Sequence, residues 1–313
     1  MDIVLLFPGQ GSQKPGMGKD LAEAFPEARA VFDRADHVLG TSLTRLCFDG
    51  PAEELTLTHN AQPALLAHGA ALWAVARERI APRVRAAAGH SLGEFTAYHA
   101  AGSFALDGGL RVVRRRGELM YESGVRQPGA MAAILGDLRE PIEDICARAT
   151  SDAGLVVPAN YNAPGQIVIS GEANAVERAM TLAKGAGAKR AMRLNVSGAF
   201  HSPLMQSAES GLTESLAVTP MVDPRFPVYA NVDGAPVTTV ASGRERLVRQ
   251  LTSPVRWTEE VQTLAQDFPK ALFVEMGPGT VLVGLVKKIA PVVKTASCGT
   301  VAEIEQLVGL VAS

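Results

Sequence analysis

The stretch "AAAGHSLGEFTAY", residues 86–98, decides how the rest of the chain is interpreted. The small residues up to Gly89 predict a buried strand, and the residues after Ser91 predict a helix. From Gly89 the sequence matches G-x-S-x-G, a strained strand-to-helix turn that presents a serine hydroxyl at the top of an α/β sheet. The alternative is a capping box, in which Ser91 caps the helix and Glu94 stands three residues later. The two interpretations are compatible, because a nucleophilic serine can also start a helix.

Predicted strands and helices alternate on both sides of this stretch. The alternation argues for an α/β fold with a mainly parallel sheet. The strands outside the middle of the chain are predicted in "DIVLLF", "VRAAAG", "FPVYANVDG" and "ALFVEMGPG". The helices are predicted near 20–38, about 62–80, after Ser91, about 107–123, in "RERLVRQL" and "WTEEVQTLAQ", and in the last residues.

The middle of the chain has a different pattern. "GAMAAIL", "LVVPANYN", "QIVISG" and "KRAMRLNV" predict strands, and "REPIEDICARAT" and "ANAVERAMTLAKGAG" predict helices. Their order is β-α-β-β-α-β, which is the ferredoxin-like order. We therefore predict a small ferredoxin-like α+β subdomain over 128–196, inserted into a large discontinuous domain formed by 1–127 and 197–313.

The composition excludes several classes of protein. Of the 313 residues 47% are hydrophobic and 20% charged, and the net charge of −2 gives no indication of nucleic-acid binding. The apolar run Ile3–Phe7 stops at Pro8, and no run approaches the roughly 18 apolar residues of a membrane span, so we expect neither a secretory signal nor a membrane protein. The three widely spaced cysteines predict reduced core thiols in a cytoplasmic protein, without a metal site.

A serine nucleophile needs a base, and the six histidines are the candidates. His201 lies in "SGAFHSPLM", directly after the last strand of the predicted insertion, where Ser202 and Pro203 would start a new helix. A loop histidine at a junction between domains is well placed to face a cleft. A purely structural role is the alternative.

The helix "LRVVRRRGELMY", residues 110–121, places one arginine on its apolar face. On a helical wheel Arg116 falls between Met120 and Val112, whereas the other charged residues share the opposite face. A buried guanidinium requires an anionic partner, and no acidic residue lies three or four positions away on that face. The partner is therefore distant in sequence, or it is the carboxylate of a ligand, which arginine can hold through two hydrogen bonds.

The loop "FPGQGSQ", residues 7–13, follows the first strand. It lacks the third glycine of a dinucleotide fingerprint and the GK[ST] ending of a P-loop. Its glycines either bring backbone amides close to a substrate oxygen or form an ordinary tight turn.

Taken together, "PGQGSQ", "GHSLGE", "MRLNVSGAFHSPLM", "QLTSPVRW" and "EMGPG" occur in an order and at intervals that resemble one family. The chain resembles the malonyl-CoA:acyl carrier protein transacylases, which load malonyl units for fatty acid or polyketide synthesis. The resemblance covers essentially the whole chain. It implies a large α/β-hydrolase-like domain interrupted by a ferredoxin-like one, which agrees with the pattern above.

The resemblance also implies a role for each site residue. Ser91 is the acylated nucleophile, His201 is its base, and the backbone carbonyl of Gln250 orients His201. Arg116 grips the free carboxylate of the malonyl group. The remaining implied residues are Gln10 and Leu92, whose backbone amides form the oxyanion hole, and Met120 and Phe200, which narrow the pocket.

The implied reaction is ping-pong transfer with malonyl-CoA as substrate and no bound cofactor; the phosphopantetheine is carried by the partner, a holo acyl carrier protein. We expect a cytoplasmic monomer. The first alternative is an acyl hydrolase that acts on carrier-protein thioesters with the same serine and histidine. The second is a degenerate, non-enzymatic subunit that docks a carrier protein.

Overall fold

The computed structural model describes residues 1–152 and 154–312. Within these residues, ten strands form two sheets: β1 (Ile3–Phe7), β2 (Val84–Gly89), β3 (Ala130–Leu135), β4 (Val156–Ala163), β5 (Gln166–Gly171), β6 (Arg190–Arg193), β7 (Val228–Tyr229), β8 (Pro236–Val237), β9 (Leu272–Met276) and β10 (Lys294–Cys298).

The helices surround these sheets. They are α1 (Lys19–Ala24), α2 (Pro26–Leu39), α3 (Leu43–Asp49), α4 (Ala52–Thr56), α5 (Thr58–Ile80), α6 (Leu92–Ala100), α7 (Leu106–Arg126), α8 (Ile142–Ala149), α9 (Ala173–Gly185), α10 (Glu209–Val218), α11 (Val240–Arg249), α12 (Trp257–Asp267), α13 (Val281–Ile289) and α14 (Val301–Ala312), with short 3-10 helices at Ala81–Arg83 and Pro203–Ala208. Within residues 1–152 and 154–312, no helix is long and apolar enough to cross a membrane.

The larger sheet has the strand order β10-β9-β1-β2-β7-β8, and its first five strands are parallel. Only β8 runs antiparallel, beside β7. All five residues of β1 are buried, because a parallel sheet is covered on both faces. Ile3, Leu5 and Phe7 belong to one hydrophobic cluster, whereas Val4 and Leu6 belong to a second cluster. The predicted mainly parallel α/β sheet is therefore confirmed.

The smaller sheet is antiparallel, with the order β4-β5-β3-β6. Its elements follow the predicted sequence β3-α8-β4-β5-α9-β6, and it has a hydrophobic cluster of its own. The fold class, a large α/β sheet with a separate small α+β unit, is confirmed. The domain limits 1–127, 128–196 and 197–313 stay a prediction.

The two sheets are joined next to the turn at His90 and Ser91 between β2 and α6, called here the nucleophile turn. Asn160 of β4 forms a bridge with Val255 in the loop before α12. The backbone N–H of Tyr161 donates to Val255 O at 2.9 Å, and Val255 N–H donates to Ala159 O at 2.8 Å. These bonds hold β4 against the loop between α11 and α12, which also carries Gln250.

One local prediction was wrong, and one strand was missed. The single helix expected near 20–38 is divided into α1 and α2, because Phe25 is extended (φ −128°, ψ 119°) and Pro26 begins the second helix. Strand β10 was not predicted, since its sequence "KTASC" has few of the β-branched or aromatic residues that mark strands. Only its pairing with β9 at the edge of the sheet defines it.

Candidate active site

The nucleophile turn joins β2 to α6. Ser91 has φ 52° and ψ −108°, a conformation that costs free energy in any residue other than glycine. The turn is compact because its glycines allow close packing: a Cβ on Gly93 would overlap the backbone oxygen of Phe7. The Ser91 side chain makes no capping hydrogen bond, so the capping-box arrangement is absent. Glu94 is instead fully buried.

The turn brings Ser91 to a histidine 110 residues later in the chain. Ser91 Oγ lies 2.8 Å from His201 Nε2, and His201 Nδ1 lies 2.8 Å from the backbone oxygen of Gln250. A carbonyl oxygen only accepts, so Nδ1 carries the proton and Nε2 is free to accept from the serine hydroxyl. His201 also has a positive φ of 55°. Ser91 and His201, whose side chains face each other, therefore both have a strained backbone conformation.

The imidazole of His201 is held in its neutral form. Burial lowers its pKa, and the nearby positive charge of Arg116 lowers it further, to about 3. A neutral imidazole is the form that can accept a proton from Ser91.

Arg116 lies at the bottom of the site. Only 1% of this residue is exposed, which confirms that it lies on the buried face predicted from the helical wheel. Its Nη1 donates to Gln62 Oε1 at 2.7 Å, and its Nη2 donates to Gln250 Oε1 at 2.7 Å and to Ser91 Oγ at 3.2 Å. Burial lowers the pKa of Arg116 to about 10, so the guanidinium remains charged at neutral pH.

No carboxylate of the described residues contacts this guanidinium, and its Nε has no hydrogen-bond partner among them. The charge of Glu94 raises the pKa of Arg116, although Glu94 makes no hydrogen bond to the guanidinium. The ring of Phe95 lies under the guanidinium, 5.2 Å from Cζ to the ring centroid. A buried cation held by neutral amides and a ring is suited to bind an anionic ligand.

A cavity of about 130 Å³ connects these groups. All the predicted site residues line this cavity except Gln250, which is fully buried. The residues that line the cavity are Gln10, Gln62, His90, Ser91, Leu92, Arg116, Met120, Met131, Asn160, Leu194, Val196, Phe200 and His201. Part of the lining therefore comes from the smaller sheet, through Met131 of β3 and Asn160 of β4, and from Leu194, which directly follows β6.

Sequence reasoning missed four polar groups of this site. Gln62 and the side chain of Gln250 hold Arg116, and Asn231 Oδ1 accepts from Ser91 N–H at 2.7 Å. Glu94 was considered only as a capping residue. Its place in the helix "LGEFTAYHA", between Leu92 and Phe95, is the one signal that indicated burial. Gln62 and Asn231 belong to no motif, and Gln250 was predicted only for its backbone carbonyl.

The described residues contain no cluster of side chains that is typical of a metal site. Across residues 1–152 and 154–312, no three His, Cys, Asp or Glu side chains are grouped so that they could hold a metal ion.

A serine on a strand-to-helix turn of a mainly parallel sheet, with a histidine against its hydroxyl, is typical of enzymes that move acyl groups through a serine ester. The chain belongs to the acyl transferase family: the family described as "Acyl transferase domain" matches residues 4–306. The protein is an acyltransferase.

Similar proteins cover nearly the whole chain. The chain is 47% identical to the malonyl CoA-acyl carrier protein transacylase of Bacillus subtilis (strain 168) over 304 residues, which are 97% of this chain and 95% of that protein. It is 42% identical to the protein of the same name from Escherichia coli (strain K12), over 92% of both chains.

Solved structures agree with this likeness. The crystal structure of acyl-carrier-protein-S-malonyltransferase from Bartonella henselae matches with a TM-score of 0.94 and 41% identity, over 100% of both chains. A complex described as a type II PKS acyl-carrier protein with its malonyl-transacylase matches with a TM-score of 0.94 and 41% identity, over 99% of this chain and 100% of that chain.

Proposed function

We propose that the protein transfers the malonyl group of malonyl-CoA to the phosphopantetheine thiol of an acyl carrier protein, through a malonyl ester on Ser91. The observation that carries this proposal is the buried guanidinium of Arg116, whose Nη2 lies 3.2 Å from Ser91 Oγ. A carboxylate two bonds away from the reacting carbonyl carbon would reach this cation. The relatives named as malonyl transacylases support the same substrate.

The first half-reaction acylates the serine. Ser91 Oγ attacks the thioester carbon while His201 Nε2 takes the hydroxyl proton, and the backbone oxygen of Gln250 stabilises the protonated ring through Nδ1. The C–S bond breaks, and the CoA sulfur leaves with the proton that His201 held. The enzyme then carries a malonyl ester.

The second half-reaction reverses these steps with a different thiol. The phosphopantetheine thiol gives its proton to His201, and its sulfur attacks the ester carbon. The bond from the carbonyl carbon to Ser91 Oγ breaks, and His201 returns the proton to the serine. The carrier protein leaves as a malonyl thioester, and the free enzyme is regenerated.

The oxyanion of both half-reactions would lie between two backbone amides. Among the described residues, neither Gln10 N–H nor Leu92 N–H has a hydrogen-bond acceptor, and both residues line the cavity beside Ser91. Unpaired N–H groups aimed at the reacting oxygen stabilise the charge that develops on it. Met120 and Phe200 line the same cavity and would narrow it around the malonyl methylene.

The guanidinium of Arg116 also explains why a malonyl group would be selected over an acetyl group. An acetyl group has no carboxylate and would leave Arg116 buried without an anionic partner, a loss on the order of several kcal/mol. We propose malonyl-CoA and a holo acyl carrier protein as the two substrates, and no bound cofactor or metal ion. A cytoplasmic monomer that binds neither nucleic acid nor membrane stays a prediction.

The experiment follows the acyl-enzyme by intact-protein mass spectrometry. Malonyl-CoA should add one malonyl group to the peptide that contains Ser91, and holo acyl carrier protein should remove it within seconds while water removes it over minutes. Loss to water at the same rate would indicate the hydrolase instead. A Ser91→Ala variant that keeps full biological activity would support the non-enzymatic docking subunit.

A further inference from the structure

One buried carboxylate beneath the nucleophile turn has no role in the reaction described above. Glu94 is 0% exposed, and it is the one acidic residue of α6, a helix whose residues are nearly all buried. Its Oε2 accepts from Gln250 Nε2 at 2.7 Å and from the backbone N–H of Asn231 at 3.1 Å. Burial raises the pKa of Glu94 to about 7, and among the described residues its Oε1 has no hydrogen-bond partner, so its polar contacts are concentrated on Oε2.

The side-chain amide of Gln250 connects this carboxylate to Arg116. The Nε2 of Gln250 donates to Glu94 Oε2 and, at 3.0 Å, to the backbone oxygen of Ser91. Its Oε1 accepts from Arg116 Nη2 at 2.7 Å. Asn231 Oδ1 is a third acceptor of this Nε2, at 3.3 Å. A flipped amide would point its NH2 at the guanidinium and its oxygen at these acceptors, so a single orientation satisfies both ends. Glu94 Oε2 is the closest of the three acceptors, at 2.7 Å.

The amide orientation in turn fixes the guanidinium. Arg116 Nη2 contacts both Gln250 Oε1 and Ser91 Oγ, so the charge is aligned with the nucleophile before any substrate binds. An arginine side chain has several flexible torsions, and a bound carboxylate gains from it only when the geometry is set in advance. Any change that frees the Gln250 amide should therefore affect malonyl groups more than acetyl groups.

We propose that Glu94 is a positioning residue for substrate selectivity: through the Gln250 amide it holds Arg116 in the orientation that binds the carboxylate of the acyl group. The inference rests on the proposed malonyl transfer. It gives the last residue of "GHSLGE" a function in choosing the acyl group, beyond its place in the turn.

A second buried carboxylate provides a matched control. Glu260 is also 0% exposed, and its Oε2 accepts from Asn231 Nδ2 at 2.9 Å. Among the described residues it makes no hydrogen bond to Gln250 or Arg116. Replacing either glutamate removes a buried acceptor from Asn231. Of the two glutamates, only Glu94 accepts directly from the side-chain amide of Gln250.

The experiment measures the rate of Ser91 acylation by malonyl-CoA and by acetyl-CoA in four variants of the full chain, Glu94→Met, Glu94→Gln, Glu260→Met and Gln250→Met, with thermal unfolding of each. We expect the malonyl-to-acetyl ratio to fall by about tenfold or more in Glu94→Met, the effect of losing a hydrogen bond to a charged group. Glu260→Met should keep the ratio even where it lowers stability equally. Glu94→Gln should also keep it, because an amide oxygen still accepts from Gln250.

Gln250→Met removes the amide but keeps the backbone oxygen that contacts His201, so it should reproduce the loss of ratio and serves as the test if Glu94→Met does not fold. An unchanged ratio in Glu94→Met or in Gln250→Met overturns the inference, as does an equal loss in Glu260→Met. A loss of ratio in Glu94→Gln as large as in Glu94→Met also overturns it, because the charge and not the amide orientation would then be responsible. Wild-type protein that malonyl-CoA does not acylate would instead refute the proposed function.

Discussion

At the scale of single residues, the site depends on two side chains that stand on strained backbone. Ser91 and His201 both have positive φ, and hydrogen bonds from distant parts of the chain hold them there. The G-x-S-x-G motif predicted Ser91 as the nucleophile, and the loop position of His201 made it a candidate base. The sequence could not reveal Asn231 or Gln62, because amides that fix a turn or an arginine can stand anywhere in the sequence and belong to no motif.

The charge state of His201 is a prediction at this scale. Burial and Arg116 lower the pKa of His201 to about 3, so we expect its ring to remain neutral at every pH from 8 down to about 5. Ring ¹³C–¹H NMR shifts, assigned with a His201→Gln variant, measure this directly. A titration midpoint close to the ordinary histidine value of 6.5 would contradict the account.

At the scale of elements, the nucleophile turn is defined by how closely α6 approaches β1. The pattern of small residues predicted a strand followed by a helix, and both are present. The same reasoning failed for β10, whose five residues have weak strand propensity and are ordered by pairing with β9. Elements with a strong local pattern were predictable, and elements defined by tertiary pairing were not.

Two helical glycines test the packing of the turn. Gly93→Ala should destabilise the protein by about 3 kcal/mol or more, because its Cβ would overlap the Phe7 carbonyl in the central strand. Gly284→Ala in α13 is the matched control: no atom lies within 4 Å of its Cβ, so it should stabilise the helix by roughly 0.5–1 kcal/mol. Urea unfolding measures both, and similar stabilities for the two variants would refute this packing argument.

The cap of α13 predicts a pH dependence of stability. Glu275 Oε2 accepts from Val283 N–H at 2.8 Å, and burial raises the pKa of Glu275 from 4.5 to about 7. Because the pKa of Glu275 is higher in the folded than in the unfolded protein, its protonated form favours folding. This contribution to stability is complete below pH 4.5 and is lost as the pH rises towards 7. The stability of wild type relative to Glu275→Gln should therefore fall by about 1–3 kcal/mol across this interval. A difference that does not change with pH would contradict the assignment.

At the scale of the whole molecule, the cavity lies where the two sheets meet. The larger sheet supplies the nucleophile turn, and the smaller sheet supplies part of the cavity lining through Met131 and Asn160. The sequence predicted both units and the arginine on the buried face of its helix. It could not predict how they join, because the bridge between Asn160 and Val255 connects segments almost a hundred residues apart, and neither local sequence indicates which segment it pairs with.

The most direct measurement compares Ser91 acylation by malonyl-CoA and acetyl-CoA in wild type, Arg116→Ala and Arg114→Ala. Arg114 is the control, since it lies on the same helix but does not line the cavity; it pairs with Glu118 and donates to His59 O and Asn60 Oδ1. We predict that Arg116→Ala lowers malonyl acylation by about a hundredfold or more, the loss of two charge-assisted hydrogen bonds, and acetyl acylation by no more than about threefold. Arg114→Ala should leave both rates close to wild type. An equal loss for the two acyl groups in Arg116→Ala would contradict the account.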